Sequence, residues 1–406
     1  MSRKKRPDPI KVIFIHIMRD TFSGAQKNIY LLLKGIKKEE ISPLLLGQAH
    51  CPLTEISSKL GIETKIIPFP DGLAVFDKKL LKFNLPRVFK FIKGIWNYNI
   101  VLIKEWKLIK PEIIWCDNIR TFITVYFACK VVKAKVVLNT WSESEGKIAW
   151  IVYRIGLLLA DQIHVQYSNQ GEKLFGRLAN QPRFHRKIMP LYTGVSDFEE
   201  LLDTNIRKDL SLESNSILII MAANIVSGKG QKDLVKAVEK LKTEFSNIHL
   251  LIAGTAVNSS PDSIKYHKEI KDYILQRNLK SFIHLIGWRN DIRDILESSD
   301  IYVSTSYTES LPLNVRDAMF ASLPVIATDV GGTSELIDIN ENGYLFKPGD
   351  IQTLTDYLKI LLDNPSLRES MGLKSKNIIE TDTRFSSEIY VRNFENILKE
   401  LVTNRV

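Results

Sequence analysis

The chain has few cysteines and histidines, and their spacing argues against a metal site. Three cysteines occur in 406 residues, Cys51, Cys116 and Cys129, without the short spacing of a zinc or redox motif. The seven histidines are scattered, and no pair has the helical spacing of metal ligands. We therefore expect buried, reduced thiols in a cytosolic protein, and no metal ion.

Long apolar runs are also missing. The longest, residues 148–160, is interrupted by Arg154 and is too short to span a bilayer. The first residues, MSRKKRPDP, lead into a strand-like run instead of the apolar segment of a secretory leader. These absences predict a cytoplasmic protein.

Acidic residues are scarce in the first half only. Residues 1–200 carry 32 Lys and Arg against 18 Asp and Glu, a net charge of +14, whereas the remainder carries 24 against 28, a net charge of −4. This asymmetry suggests an anionic partner for the first half, such as a membrane surface, a lipid pyrophosphate or nucleic acid. The alternative is a basic face that only keeps the protein in solution.

The basic excess is densest in residues 76–110, where nine Lys and Arg stand against Asp77 and Glu105. Aromatic residues, among them Trp96 and Trp106, are interleaved with the basic ones. A basic helix with aromatics on its other face can lie at an anionic membrane surface. The aromatics can equally pack helices on a sheet, and the two roles can coexist because lysine stems reach past apolar surface. No nucleic-acid module accompanies the pattern, so we expect no nucleic-acid partner.

The length allows two domains, and strand-like apolar runs alternate with helical segments throughout. This alternation predicts parallel sheets covered on both faces. The strands are expected near residues 11–17, 43–46, 65–68, 113–115, 135–138, 162–166, 217–222, 249–253, 283–286, 301–303 and 324–327. A long amphipathic helix is expected over residues 386–402.

Residues 300–347 contain the most informative pattern. A buried strand ends in a small polar loop that closes at Glu309, and the helix that follows brings Asp317 eight residues later. Pro312 suits the first turn of this helix, with Ser310 as its N-cap. After the next strand, Gly331 and Gly332 form a turn where backbone can approach a ligand closely. The loops of such parallel units gather at one sheet edge, where ligands bind.

A second pattern surrounds Lys229. Gly228 and Gly230 flank this lysine between a buried strand and a helical stripe of apolar residues. Backbone N–H groups at a helix N-terminus and an ammonium group can both hold phosphate. A Gly-Lys-Gly sequence by itself is usually a solvated turn.

Together these motifs resemble the donor-site signature of the retaining glycosyltransferases of family four, which have the GT-B fold. The family pattern is a Glu, seven residues, a second Glu with Ala-Met, a small residue, Pro-Val, and a Gly-Gly turn followed by Glu. The matching residues here are Glu309, Asp317-Ala318-Met319, Ser322, Pro324-Val325, Gly331-Gly332 and Glu335. The departure is Asp317, whose carboxylate reaches one methylene less far than that of Glu.

The resemblance implies two Rossmann-like parallel-sheet domains facing across a cleft. Residues 1–195 would form the acceptor-side domain, and residues 187–192 resemble its last strand. Residues 196–383 would bind the nucleotide sugar. Residues 384–406 would form a helix that crosses back to the first domain.

The resemblance also implies roles at the donor site. Glu309 would contact the donor sugar, Asp317 the nucleotide ribose, and Lys229 the diphosphate without a metal ion. Asn224 stands where relatives usually have an Arg, and Trp288 could stack on the base or be ordinary surface packing. Glu309 and Lys229 are the expected catalytic residues. The expected donor-binding residues are Asn224, Lys229, Gly254, Trp288, Glu309, Ser310, Leu311, Pro312, Leu313 and Asp317.

On the acceptor side the expected residues come from two loops. Gly24 and Ala25 belong to the small-residue loop before the first helix. Trp141 and Glu143 follow a later strand where many relatives have a His. Glu143 could contact acceptor hydroxyls or cap the next helix. Apart from these loops, His16, near the end of the first strand, is the histidine of most interest among the seven, although a buried, hydrogen-bonded role is favoured for it.

The resemblance implies a retaining transferase that moves a sugar from a nucleoside-diphosphate donor to a glycan or lipid-linked acceptor in cell-surface polysaccharide assembly. It would need no cofactor besides the donor and would lie peripherally at the inner membrane face. The competing interpretation is a non-catalytic GT-B scaffold with a degenerate donor site, favoured by Asn224, Asp317 and the absent His near Trp141. An epimerase or phosphorylase of this fold is a minor alternative.

Overall fold

The computed structural model describes residues 8–17, 24–70, 85–141, 147–195, 202–257 and 260–403. The chain divides into two compact units, Met1–Gly194 with Ser387–Val406, and Val195–Ser386. Each unit contains one sheet, and all its paired strands are parallel. The predicted architecture of two Rossmann-like parallel-sheet domains is confirmed.

The sheet of the first unit has the strand order β3-β2-β1-β4-β5-β6-β7, so the order reverses between β1 and β4. Its strands are nearly continuous apolar runs because helices cover both faces. They are β1 Ile10–His16, β2 Ile41–Gly47, β3 Glu63–Ile66, β4 Ile113–Cys116, β5 Lys135–Asn139, β6 Gln162–Val165 and β7 Ile188–Pro190. The helices are α1 Gly24–Gly35, α2 Pro52–Lys59, α3 Leu85–Ile109, α4 Ile119–Val132, α5 Lys147–Leu159, α6 Gln170–Phe175 and α7 Pro182–His185.

The second unit has the strand order β10-β9-β8-β11-β12-β13, with the reversal between β8 and β11. Its strands are β8 Ile217–Ala222, β9 Ile248–Ala253, β10 Ile283–Gly287, β11 Ile301–Ser304, β12 Val325–Thr328 and β13 Gly343–Phe346. The helices are α8 Ile206–Asp209, α9 Gln231–Leu241, α10 Pro261–Gln276, α11 Ile292–Glu297, α12 Leu313–Phe320, α13 Ile351–Asp363 and α14 Pro365–Thr381.

The last helix, α15 Ser387–Thr403, belongs to the first unit, where it packs on α1. Its Glu395 accepts a hydrogen bond of 2.7 Å from the backbone N–H of Lys37. The ring centroid of Phe394 lies 5.8 Å from that of Phe14 on β1. This helix therefore covers one face of the first sheet.

Helix α3 contains most of the basic, aromatic segment, and its aromatics divide between two environments. Tyr98 and Trp106 are buried in the core of the first unit, as the packing alternative expects. Phe89 and Trp96 are 71% and 55% exposed. Residues 76–84 of the predicted segment lie outside the described residues.

No helix in the described part of the chain has the length and hydropathy needed to cross a bilayer. The three cysteines are free and buried.

Candidate functional site

The loops that carry the donor motifs meet at the carboxyl edge of the second sheet. Lys229 follows β8 and Glu309 follows β11, and these two strands are neighbours. The strand order reverses between them, so their connections leave in opposite directions. Such a reversal leaves a crevice at the carboxyl ends of the strands, which is where open α/β sheets bind ligands.

The side chains of Lys229 and Glu309 contact each other, and Lys229 Nζ donates a hydrogen bond to Glu309 Oε1. Ser306 Oγ donates to the same oxygen at 2.7 Å. The two charged side chains are 27% and 12% exposed. The lysine has three N–H donors, of which Glu309 accepts one, so the pair can bind an anion and a hydroxyl-bearing group side by side.

The backbone around Lys229 is fixed by contacts with the loop after β11. Residues Ser227–Lys229 form a 3-10 turn, and Thr305 Oγ1 donates to the carbonyl oxygen of Lys229 at 2.9 Å. Gly230 has a φ of +69°, and a Cβ there would lie 2.2 Å from the carbonyl oxygen of Thr305. Only glycine fits this close approach, and Gly230, the N-cap of α9, places Lys229 one residue before the cap.

A second close approach fixes Glu309. Gly331 has a φ of +59°, and a Cβ there would lie 2.1 Å from the carbonyl oxygen of Glu309. The N–H of Gly332 donates to the carbonyl oxygen of Ser310 at 2.6 Å. The Gly-Gly turn after β12 therefore packs against the loop that contains Glu309 through backbone contacts.

The predicted capping of the next helix is wrong. Pro312 has an extended conformation, with φ −69° and ψ 117°, and is itself the N-cap of α12, which begins at Leu313. Ser310 lies two residues before the cap and cannot take that role. Asn314 Nδ2 donates to the carbonyl oxygen of Ala222 at 2.6 Å, which ties the first turn of α12 to the end of β8.

Asp317 lies in the second turn of α12 and is half-buried. Tyr302 of β11 is fully buried, and burial raises its pKa well above the usual value. The negative charges of Glu309 and Asp317 raise the pKa of Tyr302 further. Both motif carboxylates therefore act electrostatically on the same buried tyrosine.

The remaining donor-side residues follow the outer strands of the same edge. The N–H of Gly254, after β9, donates to the carbonyl oxygen of Gly287 at 2.7 Å. Trp288, after β10, is 59% exposed. The carbonyl oxygen of Asn224, after β8, accepts a hydrogen bond of 2.9 Å from Gln231, the first residue of α9.

Sequence reasoning missed two groups at this site. Ser306, which bonds Glu309, was not singled out. Tyr307 donates to Asp233 at 2.8 Å, and this bond raises the pKa of the tyrosine to about 12. The run of small polar residues Ser304–Ser306 before Glu309 was the signal that could have identified the serine.

The acceptor-side residues lie in the first unit. Gly24 and Ala25 open α1 and are half-buried. The ring of Trp141, just after β5, packs edge-on against that of Trp115, with the two ring centroids 4.9 Å apart. Glu143 lies outside the described residues. Among the described residues, no three His, Cys, Asp or Glu side chains are grouped closely enough to hold a metal ion.

Residues 203–378 match the model of a family described as Glycosyl transferases group 1. An Escherichia coli protein named UDP-Gal:alpha-D-GlcNAc-diphosphoundecaprenol alpha-1,3-galactosyltransferase is 29% identical over 368 residues, covering 85% of this chain and 88% of that protein. A Bacillus subtilis protein named Putative glycosyltransferase EpsD is 26% identical over 228 residues, covering 56% of this chain and 54% of that protein. The chain spans about half the length of several curated relatives that it matches.

Among solved structures, the chain is similar to Anabaena HepE in complex with UDP-glucose. The TM-score is 0.76 at 16% identity, and the match covers 96% of this chain and 100% of that one. At this identity the similarity shows the fold alone.

Proposed function

We propose that this chain, whose residues 203–378 match the model of the glycosyl transferases group 1, transfers a sugar from a nucleoside-diphosphate donor to a glycan or lipid-linked acceptor with retention of configuration. The observation that carries this proposal is the contact between Lys229 and Glu309 at the reversal of strand order. A scaffold would need neither a cation nor a carboxylate at this position.

The chemistry of the pair suits the transfer of a glycosyl group. Negative charge grows on the diphosphate as the bond to the sugar breaks, and the Lys229 ammonium stabilises it. The N–H groups at the start of α12 favour an anion in the same way. Glu309, held by Ser306, remains beside the lysine to accept hydrogen bonds from sugar hydroxyls. In this proposal the enzyme binds the nucleotide sugar and the acceptor, and neither a metal ion nor another cofactor takes part.

At the nucleotide end, we assign Asp317 to the ribose and Trp288 to the base. Trp288 is exposed at the same sheet edge, where a flat base can stack on it. The Escherichia coli relative is named for UDP-Gal, and the Anabaena structure was solved with UDP-glucose. UDP-hexoses are therefore the first donors to test.

A lipid-linked acceptor fits the surface of the first unit. Helices α3, α4 and α5 pack side by side, with nine Lys and Arg against the single acidic Glu105. We call their exposed apolar residues the helical face; they are Phe89, Ile92, Trp96, Ile100, Val101, Leu108, Ile123, Phe127, Val131, Trp150, Ile151, Ile155 and Leu158. Apolar side chains among lysines match an anionic lipid surface. We propose that the protein works at the cytoplasmic side of a membrane through this face.

Calorimetry with UDP, GDP and ADP, followed by turnover of UDP-hexoses with detergent-solubilised GlcNAc-diphosphoundecaprenol, tests the proposed function. We expect one nucleotide to bind selectively and UDP-hexose to be consumed faster when the acceptor is present. A folded protein that binds no nucleotide at millimolar concentration would overturn the proposal in favour of a non-catalytic scaffold.

A further inference from the structure

Two ionisable side chains meet at the reversal of strand order in the first unit. His16 ends β1 and Asp117 directly follows β4, and His16 Nδ1 lies 2.9 Å from Asp117 Oδ2. Their side chains are only 2% and 3% exposed. The pair occupies the carboxyl edge of the sheet, the position at which α/β sheets bind ligands.

Asp117 is held in place by its own neighbours. Its Oδ1 accepts hydrogen bonds from Asn118 Nδ2 at 2.7 Å and from Thr121 Oγ1 at 2.6 Å. A carboxylate can only accept, so the proton between the two side chains sits on His16 Nδ1. In the neutral imidazole this tautomer leaves His16 Nε2 as an acceptor with a lone pair.

His16 Nε2 is buried and has no hydrogen-bond partner within the part of the chain that the structure describes. A buried polar atom without a hydrogen-bond partner destabilises the folded state, so a ligand that pairs with it gains affinity. Asn139 Nδ2, at the end of β5, is also buried without a partner in the described residues. Cys116 and Leu138 are paired in the register of β4 and β5, so Asp117 and Asn139 both belong to the next row. An acceptor and a donor thus stand unpaired along one row of the sheet edge.

We propose that His16 Nε2 and Asn139 Nδ2 bind hydroxyl groups of the acceptor sugar, with Asp117 as the residue that positions the imidazole. A hydroxyl group both donates and accepts, so it matches a row that offers one acceptor and one donor. The assignment rests on the proposed function, since it identifies the chemistry recognised on the acceptor side. The proposal concerns binding only, and no covalent bond to His16, Asp117 or Asn139 forms or breaks.

Two variants separate binding from folding. In His16→Asn the amide nitrogen can still donate to Asp117, but the Nε2 acceptor is gone. In Asp117→Asn the new amide can donate to Nδ1, which moves the imidazole proton to Nε2 and turns this acceptor into a donor. The ¹⁵N chemical shifts of the His16 side chain show directly which ring nitrogen carries the proton. A merely structural change would not move this proton from Nδ1 to Nε2.

The experiment measures affinity for detergent-solubilised GlcNAc-diphosphoundecaprenol and for UDP in each protein, beside thermal melts. We expect both variants to lose at least tenfold in affinity for this acceptor, with the affinity for UDP and the melting temperature kept. His249→Asn, which changes a histidine paired with His284 in the second unit, should keep both affinities.

The outcomes distinguish the two proposals. If the wild type binds UDP and the acceptor and His16→Asn binds both equally well, the assignment of His16 is overturned while the transferase proposal stands. If the wild type binds UDP but none of this acceptor, His16 and Asn139 do not form a site for this sugar. If the wild type binds no nucleotide, the proposed function itself fails.

Discussion

Lys229 and Glu309 are 80 residues apart in the sequence, and their side chains are joined by a hydrogen bond. They meet because β8 and β11 are adjacent strands and because two glycines, Gly230 and Gly331, let the neighbouring loops approach within backbone contact. The pair is therefore a product of the fold around it, and its two members can be tested separately.

Lys229→Ala should weaken the binding of UDP by about 10-fold to 100-fold, the effect of losing a charge-assisted hydrogen bond of about 1.5–3 kcal/mol. Isothermal titration calorimetry measures this change. Lys232→Ala is the matched control, because Lys232 is a lysine of the same region that pairs with Glu269 on α10. Equal loss in both variants would indicate a general charge effect and no specific diphosphate contact.

Glu309→Gln should lower the rate of sugar transfer about 100-fold, the size seen when one preorganised polar group is removed from a reaction centre. The affinity for UDP should stay the same or rise, because Lys229 loses its carboxylate partner. Turnover and calorimetry are measured on the same preparation. Glu297→Gln, on α11 and paired with Arg293, should change neither quantity. Unchanged turnover in Glu309→Gln would refute a role at the sugar.

Gly230→Ala and Gly228→Ala test the close packing on either side of Lys229. A Cβ at Gly230 would lie 2.2 Å from the carbonyl oxygen of Thr305, whereas one at Gly228 meets nothing within 4 Å. Gly230→Ala should therefore lower the melting temperature by several degrees and weaken UDP binding, at a strain of about 1–3 kcal/mol. Gly228→Ala should leave the melting temperature unchanged. Thermal melts with and without UDP decide between these outcomes.

Asp291 should stabilise the second unit in a pH-dependent way. Two hydrogen bonds from Arg289, of 2.7 Å from Nε to Oδ1 and 2.5 Å from Nη2 to Oδ2, lower the pKa of Asp291 from 3.8 to about 2. A carboxylate with a lowered pKa contributes its stability above pH 4 and loses it as the pH falls toward 2. At pH 7 Asp291→Asn should lower the free energy of unfolding by about 2 kcal/mol, and this difference should shrink between pH 4 and pH 2.

Urea unfolding curves at several pH values measure this dependence. Asp272→Asn, an exposed carboxylate on α10, is the control and should show no comparable difference. A gap between wild type and Asp291→Asn that is constant from pH 7 to pH 3 would contradict the assignment.

The helical face predicts binding to anionic vesicles. Trp96 is 55% exposed on α3, and its ring centroid lies 5.3 Å from that of Phe127 on α4. Trp96→Glu should reduce co-sedimentation with phosphatidylglycerol-containing vesicles several-fold, since it removes an apolar contact and adds a negative charge. Leu275→Glu, at an exposed apolar position on α10 of the second unit, should have no effect.

The salt dependence of vesicle binding independently tests whether the helical face binds the membrane through its charges. Binding of the wild type should weaken as the salt concentration rises, because the Debye length shortens. A wild type that stays in the supernatant with anionic vesicles, at low as well as moderate salt, would rule out the membrane contact.

The sequence alone determined the parallel sheets and the order of the donor motifs. The predicted strand over residues 217–222 coincides with β8, because strands buried on both faces are continuous apolar runs that local composition reveals. Gly230 and Gly331 could likewise be identified from the sequence, because few other residues tolerate the left-handed backbone that the structure has there.

Only the tertiary structure decided which of these groups touch. The contact between Lys229 and Glu309, the hydrogen bond from Ser306 and the pairing of His16 with Asp117 all depend on which strands are neighbours. The N-cap of α12 was predicted at Ser310 and is found at Pro312. Residue types did not reveal this, because the backbone angles at one turn set where a helix begins. Local sequence sets secondary structure through short-range sterics and burial, whereas contacts over long separations arise only when the chain is folded.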